Sequence, residues 1–250
     1  MLNDFITALQ FLSRIRLWPQ KSWDEEGFSR SVKWFPLVGL LIGLGDGLVW
    51  WLCSPIFSGL PLAVILLLSH FFWAGALCYD GLMDVADGVF SGRPRERMLE
   101  IMKDSHVGAF GVLAGVVALL VRVAFVSVLS GQLLLAGLIA APILSRWLMI
   151  VGITAFPYAR PEGLGKAFVR YSGKGSLIFG TLLMGALLTG IAALVDIRAS
   201  WLFPIAMLWG VILSLWLKGK LGGLTGDCYG AIAETSELAM WVALAAWYLR

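Results

Sequence analysis

Asp80, Asp84 and Asp87 stand in the stretch YDGLMDVADG at offsets i, i+4 and i+7. On a helix those offsets fall within an arc of about 60°, so the carboxylates form one acidic stripe. Like charges one turn apart repel, and carboxylates at the end of an apolar run are costly near lipid. The stripe therefore calls for compensation, which a divalent cation supplies. Carboxylate donors suit Mg²⁺ or Mn²⁺ rather than zinc, and Mg²⁺ is the expected cofactor on Asp80, Asp84 and Asp87. Gly81 and Gly88 flank the stripe and would let a ligand or a helix approach. A single aspartate would read as a solvated helix end. Three in register, followed by Arg93, Arg95, Arg97, Lys103, Asp104 and His106, favour a site.

A second cluster is LKGKLGGLTGDCYGAIAETSEL, Leu217–Leu238. Gly222, Gly223 and Gly226 allow a turn whose backbone N–H groups approach an anion. Asp227 and Glu234 share a helical face, with Glu237 at its edge. The bland alternative is a loop, an N-capping aspartate and a solvated helix start. Arg146 lies inside an apolar helix and so needs an anionic partner, a carboxylate or a substrate phosphate. Arg160 and Lys166 surround a glycine turn in PYARPEGLGKAF, either as phosphate contacts or as charges marking one membrane face. His106, beside Asp104, is a candidate proton carrier or phosphate contact. His70, on an apolar run, reads as a satisfied core residue. Asp46 is either an intramembrane functional acid or an interface residue.

These residues must be held by membrane helices. The 250 residues are 59% hydrophobic and 14% charged, with a mean hydropathy of +0.85, which excludes an ordinary soluble domain. The pattern predicts an all-α, polytopic bundle of about seven spans, each of roughly 20 residues. They run near 34–51, from 62 into the acidic stripe, and near 107–129, 133–153, 176–195 and 201–217, with a final helix to Tyr248. Residues 1–33 form an N-terminal amphipathic, interfacial helix and a polar segment with no cleaved leader. Residues 34–250 form the bundle of a single catalytic domain. Gly39, Gly43 and Gly47 predict close packing of the first span. Cys53, Cys78 and Cys228 lack any paired spacing, which argues against a disulfide or zinc framework.

With the N-terminus in the cytoplasm, fifteen of the nineteen Lys and Arg residues fall on the inner side, as the positive-inside bias requires. Every motif region then faces the cytoplasm and the C-terminus lies outside. The net charge of +3 is too small to imply nucleic-acid binding.

Carboxylates, arginines and glycine turns on one membrane face suit chemistry on a diphosphate, with a metal ion neutralising the leaving group. No P-loop, GxSxG or HExxH motif is present. The spacing DGxxDxxDG echoes CDP-alcohol phosphotransferases but is shorter and lacks their Ala-Arg after the first DG. DGLMDVADGVFSGRPRERMLEIMKDSHVGAFG, with FPLVGLLIG, PYARPEGLG, GGLTGDCYGAIAETSEL and the FLSRI start at Arg14, resembles the cobalamin synthase family, the adenosylcobinamide-GDP ribazoletransferases. The resemblance spans nearly the whole chain and departs at His106, where the family more often carries arginine. It implies a Mg²⁺-dependent integral membrane enzyme of the inner membrane. A ribose hydroxyl of α-ribazole, or of its 5′-phosphate, attacks adenosylcobinamide-GDP, and GMP leaves. The site expected from the motifs and the resemblance together has Asp104, His106 and Asp227 as catalytic groups. Arg14, Arg146, Arg160, Lys166, Gly222, Gly223, Glu234 and Glu237 are the expected substrate contacts. The lipid bilayer is an expected partner, and self-association is left open. The rival readings are lipid-alcohol phosphotransfer and cation-coupled transport.

Overall fold

The computed structural model describes residues 1–16, 25–161 and 172–250. Among them the secondary structure is helical, apart from one isolated bridge between Tyr158 and Leu224. The chain opens with α1 (Leu2–Leu12), whose inner face buries Ala8, Leu9 and Leu12 while Leu2 stays exposed, as an amphipathic helix requires. Next come α2 (Glu25–Ser31) and a 3₁₀ turn (Val32–Trp34), where Arg30 and Lys33 reach back to Asp4 of α1 at 3.4 and 3.3 Å.

The long apolar helices fall where hydropathy places them. They are α3 (Phe35–Cys53), α7 (Ala109–Ser127), α8 (Gly131–Ala155), α9 (Lys174–Leu194) and α10 (Leu202–Leu221). Among the described residues, five helical segments are long and apolar enough to span a membrane, and a bent pair makes up to six. The structure supports an all-α membrane bundle without fixing the expected seven spans. The final helix, α11 (Gly226–Tyr248), is not among the apolar candidates because it carries the Asp227, Glu234 and Glu237 motif along its own length.

The bent pair corrects one expectation. The apolar run from Leu62 does not continue straight into the acidic stripe. It forms α4 (Gly59–Ala74), stops at Gly75, and restarts as α5 (Leu77–Phe90) at 96° to it. Gly75 adopts φ +73°, ψ −164°, a conformation open essentially to glycine. Arg14 crosses this break. Its N–H donates to the Trp73 carbonyl at 2.8 Å, and its side chain lies over Gly75. A short helix, α6 (Arg95–Ile101), then leads into α7.

The middle of the molecule is α8, buried along almost its whole length and packed on α3, α9, α10 and α11. Its contact with α3 is backbone to backbone: a Cβ on Gly43 would lie 2.7 Å from the Ile139 Cα. Such contacts let two apolar helices gain dispersion where lipid offers no hydrophobic driving force. Gly43→Ala should therefore force the helices apart and cost about 1–3 kcal/mol of overpacking, read as a lower unfolding midpoint of the detergent-solubilised protein. The outward faces of α7, α9 and α10 carry exposed Leu120, Leu182 and Leu208, as a lipid-facing surface does. The chain is an integral membrane protein.

Candidate active site

Two helices hold the acidic groups, and their close approach positions them. α5 lies on the first turns of α11. A Cβ on Gly81 would stand 2.7 Å from the Asp227 carbonyl oxygen, and one on Gly230 would stand 3.0 Å from the Cys78 Cα. Only glycine at these crossings lets Asp80 and Asp84 approach Asp227. Asp84 lies within electrostatic reach of Asp80, Asp227, Asp87 and Arg160. Thr225 caps α11 by accepting the Cys228 N–H at 3.3 Å. Asp227 therefore sits in the first turn rather than at the cap, where its charge complements the helix dipole.

Arg160 reaches this cluster because two loops are joined. The Ala159 N–H donates to the Leu224 carbonyl and the Leu224 N–H to the Pro157 carbonyl, both at 2.8 Å. Arg95 closes the joint from α6, donating to the carbonyls of Leu221 at 2.6 Å and Ala159 at 3.1 Å. Arg160 then pairs with Asp227 Oδ2 at 2.7 Å and also donates to the Met102 carbonyl. Gly222, with φ +72°, ends α10, and its N–H is taken by the Lys218 carbonyl. Gly223 admits the Pro157–Ala159 backbone, since a Cβ there would lie 2.6 Å from the Pro157 oxygen. The structure thus gives both glycines a part in building the loop joint.

Beside the acidic cluster is a cavity of about 270 Å³. Asp80, Tyr158, Arg160 and Asp227 form its polar side. Phe11, Phe35, Leu77, Met149, Ile153 and Tyr229 form most of its apolar side. Burial raises the pKa of the Tyr158 phenol, which keeps it a neutral hydroxyl. Tyr158 and Tyr229 were not singled out from the sequence, although both stand inside the motifs PYARPEGLG and GGLTGDCYGAIAETSEL.

The other expected site residues go elsewhere. Both oxygens of Asp87 accept backbone N–H groups, from Gly108 at 2.7 Å and Gly111 at 2.8 Å, so it anchors the start of α7. A carboxylate oxygen has a second lone pair, so this anchoring is compatible with a metal nearby. Asp104 and His106 are exposed and pair with each other at 2.7 Å, and neither lines the cavity. Hydrogen bonds from the His106 ring and N–H hold the Asp104 carboxyl below the usual range. Lys166 lies outside the described residues.

Arg146, Glu234 and Glu237 are in the core. Glu237 accepts from Arg146 at 2.5 Å, Arg122 at 3.0 Å and Ser145 at 2.7 Å, and is fully buried. The partner that Arg146 requires is this carboxylate. Glu234 lies 3.9 Å from Arg122. Arg122, from the middle of α7, was not expected in any site, although an arginine in an apolar run is itself the signal. His70 and Ser69 donate to Asp46 at 2.9 and 2.7 Å. Asp46 is therefore a core residue and not an interface one, and His70 is buried as expected but satisfied only at Nδ1, its Nε2 having no hydrogen-bond partner among the described residues. The network touches the cavity through Cys78, which lines it and lies within electrostatic reach of Arg146, Glu234 and Glu237.

Mg²⁺ fits the donor chemistry of the acidic cluster. Asp80, Asp84, Asp87 and Asp227 face one guanidinium, Arg160, which leaves an excess of negative charge and hard oxygen donors. The side chains do not yet converge. Among the described residues no three His, Cys, Asp or Glu groups stand at ligating spacing.

The family model for cobalamin-5-phosphate synthase matches residues 4–245. The chain belongs to this family. An adenosylcobinamide-GDP ribazoletransferase of Desulfitobacterium hafniense is 40% identical over 245 residues, covering 92% of each chain. One of Brevibacillus brevis is 38% identical over 99% of this chain and 100% of its own. One of Klebsiella pneumoniae strain 342 is 40% identical over 98% of this chain and 100% of its own. No solved structure matches.

Proposed function

We propose that this chain carries out the reaction for which its relatives are named. It is a membrane transferase of cobalamin synthesis. It joins the cobinamide phosphate of adenosylcobinamide-GDP to α-ribazole, or to its 5′-phosphate, and releases GMP. The observation that carries this reading at the site is the junction of α5 and α11, which brings Asp80, Asp227 and Arg160 to the wall of one cavity, with Asp84 within electrostatic reach of all three.

Asp80 and Asp84 would hold Mg²⁺, with Asp87 behind them fixing the end of the stripe to α7. When bound, the ion neutralises the diphosphate and stabilises the departing phosphate. Arg160 is positioned by the loop joint to receive a phosphate oxygen. Asp227 uses Oδ2 for Arg160, which leaves Oδ1 for the attacking hydroxyl. Its proton passes to that carboxylate, the new O–P bond forms, the bond between the two phosphorus centres' bridging oxygen and the cobinamide-side phosphorus breaks, and GMP leaves with the electron pair. Asp104 and His106 pair with each other outside the cavity, and this step uses neither.

The bias of basic residues supports an inner-membrane location with the site open to the cytoplasm. The transporter reading calls for intramembrane acids exposed to a pathway, whereas Asp46 and Glu237 are buried and each held by protein donors. The test is direct. Purified protein with adenosylcobinamide-GDP, α-ribazole and Mg²⁺ should release GMP, and chelation should reduce release to background until Mg²⁺ is restored. GMP release that persists in excess chelator would remove the metal. No release under any divalent ion would remove the activity.

A further inference from the structure

Resting on the ribazole-transfer reading, we infer that the cavity beside Asp80 and Asp227 is the subsite for the base of α-ribazole, and that Tyr229 is a specificity-determining residue for it. At about 270 Å³, the cavity falls just below the usual range of ligand pockets, roughly 300–1,000 Å³. That suits a compact bicyclic base and excludes a corrin ring with its amide arms. The corrinoid must therefore stay outside, and only a nucleobase can enter.

The wall chemistry decides between the two bases the reaction presents. Guanine carries several donors and acceptors on its edges, and a cavity with polar groups on one side and apolar groups on the other would leave part of them unpaired at high cost. The base of α-ribazole is a methylated benzimidazole with one free ring nitrogen, an acceptor, and an otherwise apolar outline. Phe11 and Phe35, with rings 6.4 Å apart and 29° from parallel, supply aromatic surface in the wall. Met149 and Ile153 face the same space. The single acceptor also has a buried counterpart set among the aromatic and apolar side chains of the wall. Tyr229 lines the cavity, is 2% exposed, and its hydroxyl has no hydrogen-bond partner among the described residues. A buried orphan donor of this kind costs free energy until an acceptor arrives. With the base so seated, the attached ribose lies toward Asp80, Asp227 and Arg160, where its hydroxyl is needed.

The test compares two substrates in one protein. Tyr229→Phe removes the donor and keeps the ring. Leu77→Trp narrows the cavity from a half-exposed position that tolerates bulk, Leu77 being 46% exposed. In nanodiscs, Tyr229→Phe should raise the KM for α-ribazole about five- to tenfold, and Leu77→Trp should raise it further. The KM for adenosylcobinamide-GDP should stay at the parent value in both. Equilibrium binding of α-ribazole without corrinoid should weaken in parallel. Unchanged KM and binding for α-ribazole in both variants would overturn the assignment. So would a rise confined to adenosylcobinamide-GDP and to inhibition by GMP, which would put guanine in the cavity. If the parent binds α-ribazole but releases no GMP, the activity reading fails, and the binding of the two variants still judges the cavity.

Discussion

Asp84→Asn is expected to lower turnover by at least about 100-fold, the scale on which loss of one electrostatic stabiliser acts, while membrane insertion and folding persist. Asp84, on α5, lies within electrostatic reach of Asp80 and Asp87 on its own helix, of Asp227 on α11 and of Arg160, so its charge acts on the whole cluster. The amide keeps the size and removes the charge. Because the site carries an excess of negative charge, losing one carboxylate should not destabilise the apo fold, and the unfolding midpoint without Mg²⁺ should hold or rise. The same measurement with Mg²⁺ separates ligand from bystander, since an ion bound to the native state raises the midpoint by mass action. The parent should show that rise and Asp84→Asn should not. Full activity at ordinary Mg²⁺ would remove Asp84 from the site.

Glu237→Gln should behave in the opposite way, as a folding lesion. The carboxylate lies between the guanidinium groups of Arg122 and Arg146, and all three groups are buried. Removing one partner of a buried ion pair leaves an uncompensated charge and costs about 3–5 kcal/mol. Here two cations would lose their shared partner, and His70, 3.8 Å from Glu237, would lose its second carboxylate. The expected result is low yield of folded protein and a large drop in the unfolding midpoint, with or without Mg²⁺. Arg146→Lys keeps the charge beside Glu237 but loses the guanidinium fork, and should fall between the two. If Glu237→Gln folds normally and loses only substrate affinity, the carboxylate belongs to the substrate site after all.

These two variants mark the border between sequence and structure. Span positions could be read directly, because lipid demands long apolar helices with every backbone group paired internally, a property local to each segment. The close contact of α3 could be read from its glycines for the same reason. The acidic stripe on α5 could be read from helical periodicity alone. Partners could not. Asp227 and Glu237 are ten residues apart on one helix and look alike in sequence. Packing turns Asp227 to the cavity with Arg160 and Glu237 to the core with Arg122 and Arg146. Asp87 continues the stripe in register, yet it meets Gly108 and Gly111 and holds α7. The joint that aims Arg160 unites residues near 158 with residues near 224, and no local pattern announces it. Periodicity states which face a side chain occupies. What that face meets depends on contacts between distant segments, and in a membrane core the sign and number of those partners decide whether a charge can bind substrate or must hold the fold together.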